Sequence, residues 1–226
     1  MTDTPSSDAP GRREFYDSTA GVYRATFHLI WRLGFPGLHR WLREEVGGRR
    51  VILDAGAASG YWTRVIARDV DTRVVALDFS WPYVRMAQRY LRRQPNAYVV
   101  QGDILALPMA EASVDVVLCS GVLDTLPAPG AALSEFRRVL RPGGRLLLVI
   151  RGRDEKTSGV TEKIIRTTLS ASRRVTTKGR RSSMDSHVWK RSGVWPRLTE
   201  LANQAALDIV SVEHGRLVTS VSLEPR

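Results

Sequence analysis

The sequence has few cysteines and histidines and no long apolar run. Its 226 residues include a single cysteine, Cys119, which excludes an intrachain disulfide and a cysteine-rich metal site. Its four scattered histidines lack metal-ligand spacing, so no metal is expected. No stretch approaches the roughly 18 to 20 apolar residues of a membrane span, and the N-terminal segment lacks an apolar signal-peptide core. We therefore expect a cytoplasmic protein.

The composition is that of an ordinary globular chain, with 43% hydrophobic and 25% charged residues. It excludes a collagen, a coiled coil and a wholly disordered tail. The formal net charge is +11, and residues 151–191 alone hold 12 Lys and Arg against four Asp and Glu. Such a basic segment is typical of an anion-binding surface and equally of a solvated face. Arginine outnumbers lysine 30 to four, as GC-rich coding also produces, so the isoelectric point carries little weight.

Short apolar runs alternate with segments of helical periodicity between residues 51 and 150. This alternation predicts βαβ units, a parallel sheet and right-handed crossovers. We also expect Arg141-Pro142-Gly143-Gly144 to close a helix, with glycine at its C-cap. The predicted strands are 51–56, 73–78, 97–101, 114–119 and 145–150, and the predicted helices are 60–69, 81–93 and 129–140.

The flanking segments complete a predicted division of the chain into five parts. Apolar residues between 12 and 46 recur at helical spacing and are interrupted at 34–37, which predicts two helices. Alternating runs on either side of His214-Gly215 predict a β-hairpin at about 208–223, after a helix over 195–206. The predicted parts are a mobile arm (1–11), a helical cap (12–47), the core (48–150), a basic lid or insertion (151–195) and a C-terminal helix and hairpin that complete the core (196–226).

The most informative motif is the loop Asp54-Ala55-Gly56-Ala57-Ala58-Ser59-Gly60, which follows a predicted strand and opens a predicted helix. There, backbone N–H groups and a helix N-terminus can approach a polar ligand closely. The loop alone leaves open a dinucleotide site, a site for S-adenosylmethionine and a turn without a ligand. Asp78, at the end of the second strand, suits the two hydroxyls of a ribose. Gly102-Asp103-Ile104 ends the third strand, where a carboxylate beside an apolar side chain could hold an adenine.

These segments resemble the class I S-adenosylmethionine-dependent methyltransferases, and within them the type 11 family, which is similar to ubiquinone and menaquinone C-methyltransferases. The matching stretches, VILDAGAASG, VVALDFS, QGDILALPMAEASVDVVLCSGVLDTL and FRRVLRPGGRLLLVI, cover nearly all of 51–150. The resemblance implies an α/β, Rossmann-like, seven-stranded and mostly parallel sheet that ends in an antiparallel hairpin.

The resemblance also implies roles for individual residues toward S-adenosylmethionine. The stretch FYDSTAGVYR is similar to the family's N-terminal segment, which folds over the cofactor, so Tyr16 and Tyr23 are expected cofactor contacts. The other implied contacts are the loop 54–60 (Asp54, Gly56, Ala57, Gly60) with the methionine part, Asp78 with the ribose, Phe79 and Ile104 with the adenine faces, Asp103 with the adenine amino group, and Ser120 and Gly121 as the floor under the sulfonium.

Three departures from the family pattern bear on the site. Ala58 replaces the usual glycine, and its methyl group either narrows the methionine site or is tolerated if φ is negative there. Asp124 replaces a usual histidine in the loop after the fourth strand, where it could act as a base or simply cap a turn. Tyr61-Trp62 is bulkier than usual and is expected to pack against the N-terminal helices. The candidate catalytic residues are Asp124, Tyr16, Tyr23 and His28.

The function expected from this resemblance is methyl transfer from S-adenosylmethionine to a small-molecule acceptor, such as a natural product or a quinone-like metabolite. Its pocket is expected between the N-terminal helices and the lid, with Trp31, Trp41, Trp189 and Trp195 as apolar walls. An alternative is a membrane phospholipid or lipid-quinone methyltransferase, with the helices of 27–46 and the basic lid on an anionic membrane surface. A non-methylating cofactor-binding protein on the same fold is another. No nucleic-acid partner is expected, because no RNA-binding module is visible. The protein is expected to be a monomer or a homodimer.

Overall fold

The computed structural model describes residues 14, 16–17, 20, 28, 31–32, 35–69, 71–126, 128–151, 194–214 and 218–226. The predicted lid lies almost entirely outside the described residues, and so does Tyr23. In chain order the elements are α1 (Pro36–Val46), β1 (Val51–Ala55), α2 (Tyr61–Ile66), β2 (Arg73–Asp78), α3 (Trp81–Leu91), β3 (Ala97–Gln101), β4 (Val114–Ser120), a 3₁₀ helix (Leu123–Thr125), α4 (Pro129–Val139), β5 (Leu140–Arg151), α5 (Val194–Gln204), β6 (Leu207–His214) and β7 (Val218–Pro225).

The seven strands form one sheet in the order β3-β2-β1-β4-β5-β7-β6. Strands β1 to β5 pair in parallel, whereas β7 pairs antiparallel with both β5 and β6. The predicted α/β class, the seven strands and the antiparallel hairpin are therefore confirmed. The strand order reverses between β1 and β4, and open parallel sheets bind ligands beyond the carboxyl ends of the strands at such a point.

Alternate residues of the strands face two separate hydrophobic clusters, one on each side of the sheet. In β1, Leu53 belongs to the cluster that contains Phe136 of α4, whereas Ile52 belongs to the cluster that contains Trp41 of α1. Continuous apolar strands are expected when both faces of a parallel sheet are covered. The helices therefore flank the sheet and leave its carboxyl edge to the loops.

The cap helix α1 buries its apolar side chains against the sheet. Trp41 is 4% exposed, and the rings of Trp31 and Trp62 pack with centroids 5.2 Å apart. The expected packing of Trp62 against the N-terminal segment is confirmed. The hypothesis that Trp41 walls an acceptor pocket or rests on a membrane is wrong, because this side chain is part of the core. Within the described ranges, no helix has the length and apolar character needed to cross a membrane.

Strand β5 begins earlier than expected. Helix α4 ends at Val139, and Leu140 is already extended and pairs with Val114 of β4. The sequence analysis assigned 141–144 to a glycine C-cap, and this was wrong. The buried Leu140 side chain joins the core, while Gly143, at φ +72°, lies in a local irregularity of the β4–β5 register. A bulged strand therefore replaces the predicted helix cap.

Helix α2 ends at Ile66, three residues before its predicted end. The side-chain amide of the buried Asn96 donates to the carbonyl oxygens of Ala67, Asp69 and Thr72 at 3.1, 2.8 and 2.7 Å. Carbonyls near a helix C-terminus have no partner within the helix. A single distant side chain therefore stabilises this chain reversal before β2.

Two side chains of α4 anchor the segment that connects β3 to β4. The Glu135 carboxylate accepts a hydrogen bond from Leu107 N at 2.7 Å. Arg138 donates to the carbonyl oxygens of Met109 and Leu107 at 2.8 and 3.1 Å and forms an ion pair with Glu135. The ion pair lowers the pKa of Glu135 and raises the pKa of Arg138. This anchor fixes the residues that directly follow Asp103, a predicted cofactor contact.

We predict that Arg138→Ala destabilises the protein by about 1–3 kcal/mol, because two carbonyls and a carboxylate lose a charged donor. Hydrogen exchange should accelerate at the amides of residues 103–109, and a denaturant titration should give the loss of stability. Arg85→Ala is a matched control, since Arg85 is exposed on α3. Equal exchange in the two variants would contradict the anchoring role.

Candidate functional site

The predicted site residues that the structure describes in the core lie where β1, β2, β3 and β4 end. They belong to the loop 54–60, to residues 78–79, to residues 103–104 and to residues 120–124. The carboxyl ends of parallel strands share one edge of the sheet, so these segments face a common crevice. The sequence analysis thus placed them at the correct edge, while their contacts with a ligand stay predictions.

The loop 54–60 is fastened to the neighbouring strand β2. The backbone N–H groups of Gly56 and Ala57 both donate to the carbonyl oxygen of Leu77, at 2.8 and 2.9 Å. A turn then closes through Gly60 N and the carbonyl oxygen of Ala57 at 2.9 Å. The loop therefore has a fixed backbone and directs the start of α2 toward the crevice.

Three glycines of the site have positive φ, and they differ in the space around them. A Cβ at Gly56 (φ +79°) would lie 2.5 Å from Val122 Cγ2, and a Cβ at Gly60 (φ +80°) would lie 2.9 Å from Leu91 Cδ1. Packing alone therefore requires these two glycines. At Gly121 (φ +67°) a Cβ would meet no atom of the described structure within 4 Å. The surface over Gly121 is open, as the predicted floor of a ligand site requires.

Ala58 lies in the left-handed region, at φ +47°. The negative φ that would have made this departure harmless is therefore not adopted. An alanine in this region costs about 1–2 kcal/mol relative to right-handed backbone. The conformation points Ala58 N at the Asp78 carboxylate, which it reaches at 2.8 Å. The strain thus accompanies a hydrogen bond to a buried charge.

Asp54 and Asp78 are two buried carboxyl groups, 1% and 7% exposed, at the ends of adjacent strands. Asp54 accepts a hydrogen bond from Thr63 Oγ1 at 2.5 Å, and Asp78 accepts bonds from Ala58 N and Ser80 N at 2.8 and 2.9 Å. Burial is the main cause that raises the pKa of each to about 6, and the hydrogen bonds oppose it. Donors from a ligand would favour the charged forms further.

Residues 16–17 from the N-terminal part of the chain contact the end of β2. The ring of Tyr16 meets the ring of Phe79 edge-on, with centroids 5.5 Å apart. Ser80 Oγ donates to Asp17 Oδ1 at 2.5 Å. The sequence analysis named Tyr16 and Phe79 but missed Asp17, although it follows Tyr16 directly. The acid beside Tyr16 in the stretch FYDSTAGVYR could have indicated Asp17.

His28 contacts the loop 54–60. Its Nε2 lies 2.7 Å from the hydroxyl of the fully buried Ser59, and its ring packs against Tyr61 and Tyr90 at centroid distances of 5.3 and 4.6 Å. The expected packing of Tyr61 against the N-terminal segment is confirmed. His28, a candidate catalytic residue, therefore lies against the predicted methionine-binding loop. Ser59 is a contact that the sequence analysis did not single out.

The turn after β3 holds Asp103 and Ile104. Asp103 Oδ1 accepts a hydrogen bond from Leu105 N at 2.9 Å, which closes a tight local turn. Ile104 is 6% exposed and packs in the core cluster. Its predicted contact with an adenine face therefore involves a side chain that is already mostly buried.

The end of β4 carries the predicted floor and the predicted base. The hydroxyl of Ser120 is buried and has no hydrogen-bond partner among the described residues. Buried polar groups are normally satisfied, so this hydroxyl fits a ligand above Gly121. Asp124 is half-buried in the 3₁₀ helix that follows. Burial raises the pKa of the neighbouring Cys119 thiol to about 12, which excludes it as a thiolate nucleophile near neutral pH.

Comparison with known proteins gives one family and a set of relatives. The family model described as "Methyltransferase domain", of type 11, matches residues 53–148. A demethylmenaquinone methyltransferase of Renibacterium salmoninarum is 36% identical over 139 residues, which are 59% of this chain and 55% of the relative. A malonyl-[acyl-carrier protein] O-methyltransferase of Yersinia pestis is 34% identical over 134 residues, 59% of this chain and 45% of the relative. The chain thus spans about half the length of these curated relatives.

A solved structure described as a SAM-dependent methyltransferase from Aquifex aeolicus has the same fold. It superposes with a TM-score of 0.62 at 17% sequence identity, and the match covers 82% of this chain and 88% of that chain. The two proteins therefore share the fold over most of this chain, a larger part than residues 53–148.

We predict that Ala58→Gly stabilises the ligand-free protein by about 0.5–1 kcal/mol, because glycine removes the left-handed strain but adds freedom to the unfolded chain. Thermal unfolding should show a rise of about 1–4 °C. Ala57→Gly is the matched control, since Ala57 does not have a positive φ, and it should lower the melting temperature. A lower melting temperature for Ala58→Gly would contradict the strain argument.

Proposed function

We propose that the chain is an S-adenosylmethionine-dependent methyltransferase with a small-molecule acceptor, from the premise that residues 53–148 match the family model described as "Methyltransferase domain". S-adenosylmethionine, the cofactor of this domain family, supplies a methyl group on a sulfonium centre. Much of the catalysis in such an in-line displacement comes from alignment of the acceptor atom with the methyl group, and proximity of this kind is worth up to about 7–11 kcal/mol. The site residues need to hold and orient two molecules.

The observation that carries this proposal is the buried Asp78 carboxylate at the end of β2. Two backbone N–H groups, Ala58 N from the loop after β1 and Ser80 N from the residues after β2, donate to it. A carboxylate oxygen accepts more than one hydrogen bond, so capacity is left for the two hydroxyls of a ribose. The proposed contacts of the adenine ring are Tyr16 and Phe79 on one side and Asp103 and Ile104 on the other.

The methionine part of the cofactor is proposed to contact the loop 54–60 and the end of β4. Asp54 contributes a buried carboxyl, and the unpartnered hydroxyl of Ser120 beside the open surface of Gly121 contributes a polar floor. The neighbouring 3₁₀ helix places Asp124 directly after this floor. We assign to Asp124 the uptake of a proton from acceptors that must lose one.

The other candidate bases are less well placed for that task. His28 uses Nε2 toward Ser59, next to the methionine-binding loop. Tyr16 lies against Phe79 at the nucleoside end. We therefore propose that Tyr16 and His28 position the cofactor. Tyr23 lies outside the described residues and stays a predicted contact.

The names of the two relatives point to different acceptors, a quinone in one case and a malonyl group on a carrier protein in the other, and the first supports a small-molecule acceptor. One carries demethylmenaquinone in its name and the other carries malonyl-[acyl-carrier protein]. We propose a natural product or a quinone-like metabolite as the acceptor. The lipid-surface alternative has less support, because Trp41 packs in the core.

We predict that the purified protein binds S-adenosylmethionine and S-adenosylhomocysteine with micromolar affinity. Asp78→Ala should weaken both by at least about a hundredfold, because two hydrogen bonds to a charged group are lost. Calorimetry measures the affinities, and mass spectrometry of the purified sample detects copurified ligand. Asp71→Ala, an exposed acid before β2, should leave them unchanged. Unaltered affinity in Asp78→Ala would refute the nucleoside assignment, and no binding by the wild type would refute the function.

We further predict that the affinity for S-adenosylhomocysteine rises with pH up to about 6 and then levels off. Below that pH the ligand-free protein holds protons on Asp54 and Asp78, whose pKa values are about 6. Ligand donors favour the ionised forms, so binding below pH 6 must release protons. Calorimetry from pH 5 to 8 in buffers of different ionisation enthalpy measures this release. A flat profile would show that neither carboxyl is coupled to the ligand.

A further inference from the structure

Ser80 connects two carboxylates that come from distant parts of the chain. Its backbone N–H donates to Asp78 Oδ1 at 2.9 Å, and its hydroxyl donates to Asp17 Oδ1 at 2.5 Å. Ser80 is fully buried, so water does not compete readily for its hydroxyl. The contact therefore joins the N-terminal segment to the residue next to the proposed ribose and adenine contacts.

The same segment makes a second contact one residue earlier. Tyr16 meets the ring of Phe79 at an interplanar angle of 84°, the edge-to-face geometry that aromatic pairs favour. Tyr16 thus contacts the ring of Phe79, and Asp17 accepts a hydrogen bond from Ser80. A charge-assisted hydrogen bond has stricter geometry than the ring contact, so it fixes the position of the segment.

We propose that Asp17 is a positioning residue, and that its hydrogen bond with Ser80 holds Tyr16 beside the nucleoside half of bound S-adenosylmethionine and slows the release of the cofactor. This inference rests on the proposed function. It assigns to the N-terminal segment the retention of the cofactor, separately from the choice of acceptor.

The charge of Asp17 adds a second, separable effect. In the part of the chain that the structure describes, Asp17 from the N-terminal segment and Asp54 from β1 are charged groups that act on Asp78, and both are acids. The repulsion from Asp17 raises the pKa of Asp78 further, beyond the effect of burial. Removal of this charge should therefore let Asp78 ionise at lower pH. The hydrogen bond should affect the dissociation rate, whereas the charge should affect the pH dependence of binding. The two effects can therefore be tested separately.

Three variants separate the two effects. Asp17→Asn keeps an oxygen acceptor for Ser80 but removes the charge. Ser80→Ala removes the hydroxyl and keeps both charges, and Asp17→Ala removes the hydrogen bond and the charge together. Glu14→Gln is the matched control, because Glu14 is an exposed acid of the same segment. All four are compared with the wild-type full chain, with S-adenosylhomocysteine as the probe.

The dissociation rate of S-adenosylhomocysteine, from stopped-flow displacement, should rise about tenfold in Ser80→Ala and in Asp17→Ala, the factor expected for one lost charge-assisted hydrogen bond. It should rise by a smaller factor in Asp17→Asn, which keeps a weaker, neutral hydrogen bond, and stay at the wild-type rate in Glu14→Gln. The pH midpoint of binding should shift to lower pH in Asp17→Asn and Asp17→Ala and stay in place in Ser80→Ala. A general loss of structure would not divide the variants in this way.

The proposal is overturned if Ser80→Ala and Asp17→Ala release the probe at the wild-type rate, or if Glu14→Gln releases it as fast as Asp17→Ala. Should Ser80→Ala not fold, as thermal unfolding would reveal, the comparison of Asp17→Asn with Asp17→Ala decides alone, because both change only the half-buried residue 17. Wild-type protein that binds no probe would overturn the proposed function together with this inference. Binding with unchanged release would overturn only the inference.

Discussion

Two carboxyl groups buried at one edge of a parallel sheet are the constraint on which the rest of the site depends. Asp54 and Asp78 end neighbouring strands whose register is fixed by the β1–β2 pairing. A buried charge is costly unless hydrogen-bond donors surround it. The loops at this edge are therefore shaped to supply donors, and the helices that flank the sheet are left to supply the apolar packing.

The donors come at a cost in backbone freedom. Ala58 donates to Asp78 from a left-handed conformation, and close packing against Val122 and Leu91 requires Gly56 and Gly60 on either side. Strain of this kind persists where the surroundings over-determine it. The loop is rigid because packing, strain and charge agree on one conformation, so a ligand meets a site that needs little reorganisation.

The sequence was sufficient to predict the sheet, because each strand is a short apolar run with a helical segment beside it. It was also sufficient to place Asp54, Asp78 and Asp103 at the carboxyl ends of strands, because each lies at the end of such a run. The early start of β5 at Leu140 was not predictable, since a proline and two glycines are also typical of a helix end. The contact of Asp17 with Ser80 joins residues 63 positions apart, and local periodicity carries no signal for such a pair.

The proposed site draws on two parts of the chain, the matched range 53–148 and the N-terminal segment, and these two parts contact each other. The matched domain, 53–148, contains the proposed nucleoside and methionine contacts, whereas the described residues of the N-terminal segment reach it at both ends, through Asp17 and His28. Any acceptor that moves this segment must alter its hydrogen bonds with Ser80 and Ser59. The proposed retention of the cofactor therefore depends on Asp17 and His28, which lie outside the matched range 53–148 but contact residues within it.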